Sequence, residues 1–148
     1  MSLALVIAYA QSLIGTPYKW GGNNPITGLD CSGLGMELLR ASGEIDNPSL
    51  DLTAQEIYDH LVARGGSVGA YSQGTFAFYG ESVTKITHVA FMVSPYQIIE
   101  AGGGGHKTLS VEDAAKNNAF VRLRDIKYRK DGLVATVKPR YASIGYFP

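Results

Sequence analysis

The spacing of apolar residues changes once along this chain, at Gly65-Gly66, and that change sets the fold class. Before it the spacing is helical. Leu5, Val6, Ala10, Leu13 and Ile14 recur at helical intervals behind Ser2, a residue able to cap a helix start, and Gly15 with Pro17 ends the segment. From Ser32 the spacing of Leu34, Met36, Leu38 and Leu39 predicts a second helix, with Cys31 at its first turn, stopping at Ser42-Gly43, where glycine allows a left-handed terminus. Thr53-Ala54-Gln55-Glu56 has the form of a capping box, in which threonine and glutamate each satisfy the other's backbone N–H. It opens a third helix with Ile57, Leu61 and Val62 expected on its inner face. Between the first two helices, the Gly, Asn, Pro and Thr of Thr16 to Asp30 read as an irregular loop leading into Cys31.

After Gly66 the chain breaks into short β-rich runs, Thr75 to Tyr79, Ile86 to Val93, Tyr96 to Ala101 and Phe120 to Ile126, with a last strand near Leu133 to Val137. A short helix is expected around Val111 to Lys116. Helices first and an antiparallel sheet after them describe an α+β domain, and 148 residues suit one such domain spanning 1–148. The glycines from Gly102 to Gly105 read as a mobile loop beside a site, because no lysine follows in the spacing of a phosphate cradle.

Composition removes whole classes of function. Thirteen Lys and Arg balance thirteen Asp and Glu, which argues against an electrostatic nucleic-acid or anionic-membrane partner. The longest apolar run, Leu3 to Ala10, is far short of the ~20 residues a membrane-spanning helix needs. No basic residue precedes it and no small-residue cleavage site follows, so no secretory signal is expected and localisation stays open. One cysteine rules out a disulfide within the chain and, with three scattered histidines, argues against a thiolate metal site. No metal or other cofactor is expected.

That cysteine, Cys31, is either packed filler or a nucleophile. A helix N-terminus favours a thiolate through its unpaired N–H groups, and the small Ser32 and Gly33 leave room for a substrate carbonyl. The N–H groups of the first turn can also hold an oxyanion. A thiol hydrolase needs an imidazole to carry the proton and a polar group to orient it. His60 is expected to be solvated on the third helix and His106 to lie in a loop. His88 sits inside a strand, sharing a face with Ile86, Ala90 and Met92 by alternation, as a satisfied core histidine or as the base. A hairpin centred on Ser94 makes residues whose numbers sum to 188 face each other, which sets His88 opposite Glu100. A one-residue slip would put the two on opposite faces.

The motifs Gly15-Thr16-Pro17-Tyr18-Lys19-Trp20-Gly21-Gly22, Leu29-Asp30-Cys31-Ser32-Gly33-Leu34, Thr53-Ala54-Gln55, Thr87-His88-Val89-Ala90 and Ile98-Ile99-Glu100-Ala101 occur in an order that resembles the NlpC/P60 family of cysteine peptidases. These are papain-like enzymes that cut peptide stems of bacterial cell walls. The resemblance runs from Ala8 to about Gly102. It implies a papain-like fold with N-terminal helices on a central antiparallel sheet, Cys31 as nucleophile and His88 as general base. Tyr18 then lines the substrate cleft, with Trp20 beside it, and Asp30 and Ser32 recognise the stem peptide, including the free amine of its first L-alanine. Tyr18 and Trp20 also read as ordinary core aromatics and Asp30 as a helix cap.

The bond usually cut in the family joins the γ-carboxyl of D-glutamate to meso-diaminopimelate or lysine. Departures are Glu100 at a third catalytic position commonly held by His and sometimes by Asn or Gln, Gly74-Thr75 where Gly-Asp is frequent, and Gly35 in place of an aliphatic. The missing signal and wall-binding modules fit a phage lysin or phage tail component. The implied partner is therefore peptidoglycan, with phage tail or lysis proteins as further partners. Rival readings on the same scaffold are an amidase, deamidase or acyltransferase, or a catalytically silent wall-binding or tail structural module.

Overall fold

Alternation of side chains along the central strands builds two apolar cores. The computed structural model describes residues 2–103, 106–129 and 132–141. Its sheet has six strands in the order β3-β8-β4-β5-β6-β7, every neighbouring pair antiparallel. These strands are β3 (Ser67–Val68), β4 (Phe76–Ser82), β5 (Lys85–Met92), β6 (Gln97–Gly102), β7 (Phe120–Asp125) and β8 (Leu133–Lys138). Phe76, Phe78, Val89, Phe91 and Ile99 pack against helices α1 (Leu3–Ser12), α2 (Cys31–Ser42) and α3 (Ala54–Ala63). The residues between them in sequence, Ala77, Tyr79, Ala90, Met92 and Ile98, form a smaller core with Ile126. A fourth helix, α4 (Val111–Asn117), precedes β7. The mixed helix and sheet architecture expected from the chain is present.

Helix α2 carries Cys31 and is held by packing rather than by propensity. Its two interior glycines, Gly33 and Gly35, each cost about 1 kcal/mol relative to alanine. Leu34, Met36, Leu38 and Leu39 are buried on it, and each fully buried side chain of this kind contributes roughly 1.5–3 kcal/mol, which outweighs that cost. Gly33 has a local reason to be glycine. A Cβ there would lie 2.0 Å from the Gly22 carbonyl oxygen, so the loop before the helix can close over its first turn only if position 33 has no side chain. The predicted loop is not wholly irregular, since β1 (Asn23–Asn24) and β2 (Gly28–Leu29) pair within it.

Several expectations are corrected. Ser2 occupies the N-cap of α1 but makes no side-chain capping bond, and Leu5 and Ile14 are exposed while Val6, Ala10 and Leu13 are buried. The capping box of α3 is present, but Val62 points away from the core, 39% exposed, leaving Ile57 and Leu61 inside. Ile86 does not accompany Ala90 and Met92. The β4–β5 ladder pairs Tyr79 with His88 and then Gly80 with Ile86, with Thr87 as the extra residue of a bulge, and Ile86 joins the core under the helices. Of the glycine run read as a mobile loop, Gly104 and Gly105 lie outside the described residues. Among the described residues no helix is long and apolar enough to cross a membrane.

Gly33→Ala is expected to destabilise the protein by about 1–3 kcal/mol, because overpacking against a backbone carbonyl forces the loop away from the helix. An unchanged denaturant midpoint would show that the loop closes over the helix by other means.

Candidate active site

The helix carrying the thiol starts at Cys31 because Asp30 ends the preceding extended segment and caps it. Asp30 has φ −90° and ψ −174°, and its Oδ1 accepts from the Gly33 N–H at 2.7 Å and from the Ser32 hydroxyl at 3.2 Å. Its other oxygen accepts from the Gly21 N–H at 3.1 Å, tying the Gly21-Gly22 turn to the helix start. Burial raises the Asp30 pKa and these three hydrogen bonds pull it back, with Asp51 adding a smaller upward push. Cys31 is thus presented, half-buried, on the first turn of an anchored helix.

The structure brings His88 and Glu100 together by a register other than the one expected. The β5–β6 ladder pairs Phe91 with Ile99 and Met92 with Ile98, so facing residues sum to 190, and Glu100 is not directly opposite His88. A two-residue shift preserves the face of every side chain, where a one-residue shift would have separated the two. The pair lies beyond the laddered stretch, and His88 Nε2 meets Glu100 Oε2 at 2.6 Å. Residues diagonal across a strand pair are within reach of long side chains.

His88 is 3% exposed and Glu100 1% exposed. With Nε2 engaged, Nδ1 is the ring nitrogen left for the Cys31 thiol, to which His88 is hydrogen-bonded. The Tyr79 ring stands 5.7 Å from the imidazole and is itself fixed by its hydroxyl donating to the Ile126 carbonyl at 2.7 Å.

A buried carboxylate needs compensation, and two arginines provide it. Arg124 Nε lies 3.2 Å from Glu100 Oε1, an ion pair whose angle is not that of a hydrogen bond, and Arg129 Nη1 lies 3.6 Å from Oε2. Arg124 is brought there by the β6–β7 register, which sets Glu100 opposite Arg122 and Ile98 opposite Arg124. Burial works against charge on both members of the His88–Glu100 pair and is the largest single influence on each. On Glu100 it is outweighed by the hydrogen bond and charge of His88 and by Arg129 and Arg124, so its pKa is lowered. On His88 it is outweighed by hydrogen bonds to Cys31 and Glu100 and by thiolate charge, so its pKa is raised despite Arg129.

An open cleft of about 210 Å³ exposes this arrangement, lined by Tyr18, Trp20, Cys31, Thr87, His88 and Arg129, with Ala101 to Gly103 as its floor. Tyr18 is buried, and burial together with the charges of Cys31 and Asp30 pushes its pKa far up, which keeps its hydroxyl a donor. Trp20 is a rim residue, not a core aromatic, 52% exposed, its backbone N–H donating to the Thr108 carbonyl at 2.7 Å and its ring edge-on to His106 at 6.2 Å. His106 is in a loop, as expected. Asp30 and Ser32 are not among the residues that line the cleft. His60, expected to be solvated, is half-buried, with a buried Nε2 that makes no hydrogen bond. Among the described residues no three His, Cys, Asp or Glu side chains cluster as a metal site.

Sequence reasoning missed Arg124 and Arg129. Alternation of Arg122 and Arg124 along the predicted strand was the available signal for the first, but only the β6–β7 register turns it into a contact with Glu100. Arg129 follows the strand and had none.

Residues 15–125 match the profile of the NlpC/P60 family. The chain belongs to the NlpC/P60 family. It is 34% identical over 68% of its length to the bifunctional muramidase/DL-endopeptidase CwlT of Bacillus subtilis, of which it covers 29%. The chain spans about a third or less of the curated relatives it matches. The crystal structure of the NlpC/p60 domain of peptidoglycan hydrolase SagA superposes with a TM-score of 0.64 at 23% identity, covering 93% of this chain and 99% of that one. RipD of Mycobacterium tuberculosis, described as a non-catalytic NlpC/p60 domain protein adapted to peptidoglycan binding, superposes with a TM-score of 0.61 at 21% identity over 92% of this chain and 95% of its own. The NlpC/P60 fold is therefore shared by domains with and without catalysis, and function must be argued from the site.

The two shifts in this NlpC/P60 site have opposite consequences for stability. Glu100, its pKa lowered from 4.5, contributes stability that is fully present above pH 4.5 and is lost as the carboxylate protonates below it. His88, its pKa raised from 6.5, contributes stability that is fully present below pH 6.5 and is lost as the imidazolium deprotonates above it. Thermal melts should thus show the contribution of the pair greatest between these two values, and Glu100→Gln should flatten the dependence on both sides. An unaltered pH profile in that variant would contradict the ion pair.

Proposed function

We propose that this domain is a cysteine endopeptidase acting on peptidoglycan stem peptides, cutting the bond between the γ-carboxyl of D-glutamate and the diamino acid. The observation that carries the reading is the unbroken series from Cys31 through His88 to Glu100, opening on a cleft at the start of a capped helix. Family membership and the DL-endopeptidase named among its relatives support the substrate class and the bond.

In this reading Cys31 Sγ attacks the amide carbon while His88 Nδ1 takes the thiol proton. Backbone N–H groups of the first turn of α2 face the developing oxyanion, Gly33 being engaged by Asp30 and the earlier ones remaining at the helix start. His88 returns the proton to the leaving amine, and a thioester between Cys31 and the γ-carbonyl remains. Water then attacks it with His88 as base and restores the thiol. Glu100 holds the imidazole in one orientation and stabilises its cationic form at each step. Tyr18 donates into the cleft, and Trp20 forms its rim. Asp30 and Ser32 take part by shaping the helix start.

Cys31→Ala is expected to lower the hydrolysis of a defined muropeptide by at least about 1000-fold while leaving the melting curve in place. Mass analysis of the wild-type products should show a new γ-D-glutamyl carboxyl and a free diamino-acid amine. Cleavage persisting in the variant, or wild-type protein that binds wall peptide without new termini, would overturn the peptidase reading in favour of a silent wall-binding domain.

A further inference from the structure

Arg129 lies at a junction. It lines the catalytic cleft with Cys31 and His88, and it also lines an adjoining groove of about 480 Å³ with Tyr79, Tyr96 and Lys127. Its side chain is 27% exposed, against 15% for Arg124. The two arginines are not equivalent toward Glu100, since Arg124 holds the closer contact, 3.2 Å against 3.6 Å. A separation of 3.6 Å is an ion pair beyond ordinary hydrogen-bond length. Among the described residues lining the cleft, Arg129 is the one side chain with a permanent positive charge. Its charge acts on three separate groups there, adding to the lowering at Glu100 and opposing the larger influences that raise Tyr18 and His88.

A permanent cation beside a nucleophile is suited to one feature of the proposed substrate. A glutamate linked through its γ-carboxyl keeps its α-carboxylate, four bonds from the carbonyl carbon that Cys31 attacks. An ionised carboxylate entering a cleft loses water and must find a charged, hydrogen-bonding partner. A guanidinium offers five N–H donors in a planar fork that matches a carboxylate.

We propose that Arg129 is a specificity residue that binds a free carboxylate standing beside the scissile amide, so that the cleft selects stems carrying an ionised α-carboxylate over stems in which that group is a carboxamide. The proposal rests on the peptidase reading. It goes beyond it by naming which chemical form of the stem is cut.

The test uses two synthetic tetrapeptide stems that are identical except that the γ-linked D-glutamate bears an α-carboxylate in one and an α-carboxamide in the other. Wild-type kcat/KM should favour the carboxylate form by roughly 10- to 100-fold, the range of a hydrogen bond to a charged group. Arg129→Gln should bring that ratio close to one, and Arg129→Lys should keep part of it. Any looser hold on Glu100 in these variants slows both substrates together and leaves the ratio unmoved, so the ratio reports recognition alone. Equal wild-type rates on the two stems, or a preference that survives in Arg129→Gln, would overturn the assignment of Arg129 while leaving the peptidase reading intact. Failure of wild-type protein to cut either stem would overturn both. Should Arg129→Gln not fold, the wild-type and Arg129→Lys ratios still decide.

Discussion

The contact between His88 and Glu100 is the constraint around which the sheet is arranged. Removing an ionised carboxylate from water costs several kcal/mol, and breaking such a buried pair by removing one partner typically costs about 3–5 kcal/mol. At 1% exposure Glu100 keeps its charge only because an imidazole and two guanidinium groups converge on it. The ladder of β5 and β6 stops short of the pair, and β7 lies against β6 in the register that delivers Arg124. A neutral side chain at position 100 would leave two arginines beside a histidine with no negative charge between them. A glutamate without the arginines would have the imidazole alone to set against burial. Glu100, Arg124 and Arg129 therefore form a set, which gives a physical account of a carboxylate at this position.

The thiol end of the site is built by a different device. Asp30 fastens a loop, a helix start and a neighbouring hydroxyl with two oxygens, and the absence of a side chain at Gly33 lets the Gly22 carbonyl close over them. The position of the thiol thus depends on backbone geometry, whereas that of the imidazole depends on charge. The two meet at the hydrogen bond between Cys31 and His88, where strand and helix have no covalent reason to be in register.

Much of this was legible in the residues. The change of periodicity at Gly65-Gly66 separated helices from sheet, and Asp30-Cys31-Ser32-Gly33 marked the helix start, because capping and glycine preferences act over three or four residues. His88 and Glu100 were set opposite each other by an expected register that is two residues off, and they still meet because an even shift keeps both on one face; the actual register depends on how the hairpin turn closes. The bulge at Thr87, Ile86 turned to the other core and Val62 turned outward were not legible, because each depends on packing across elements. The two arginines show the same limit. Their role exists only once β7 is laid beside β6.

The central claim is that Cys31, paired to His88, carries the reaction. Its most direct test is the rate of cleavage of a defined muropeptide as Cys31 is progressively carboxamidomethylated, the modified fraction being read by mass spectrometry on the same samples. The account predicts a rate that falls in proportion to the modified fraction and reaches zero when every Cys31 is blocked. Cleavage by fully modified protein would contradict it.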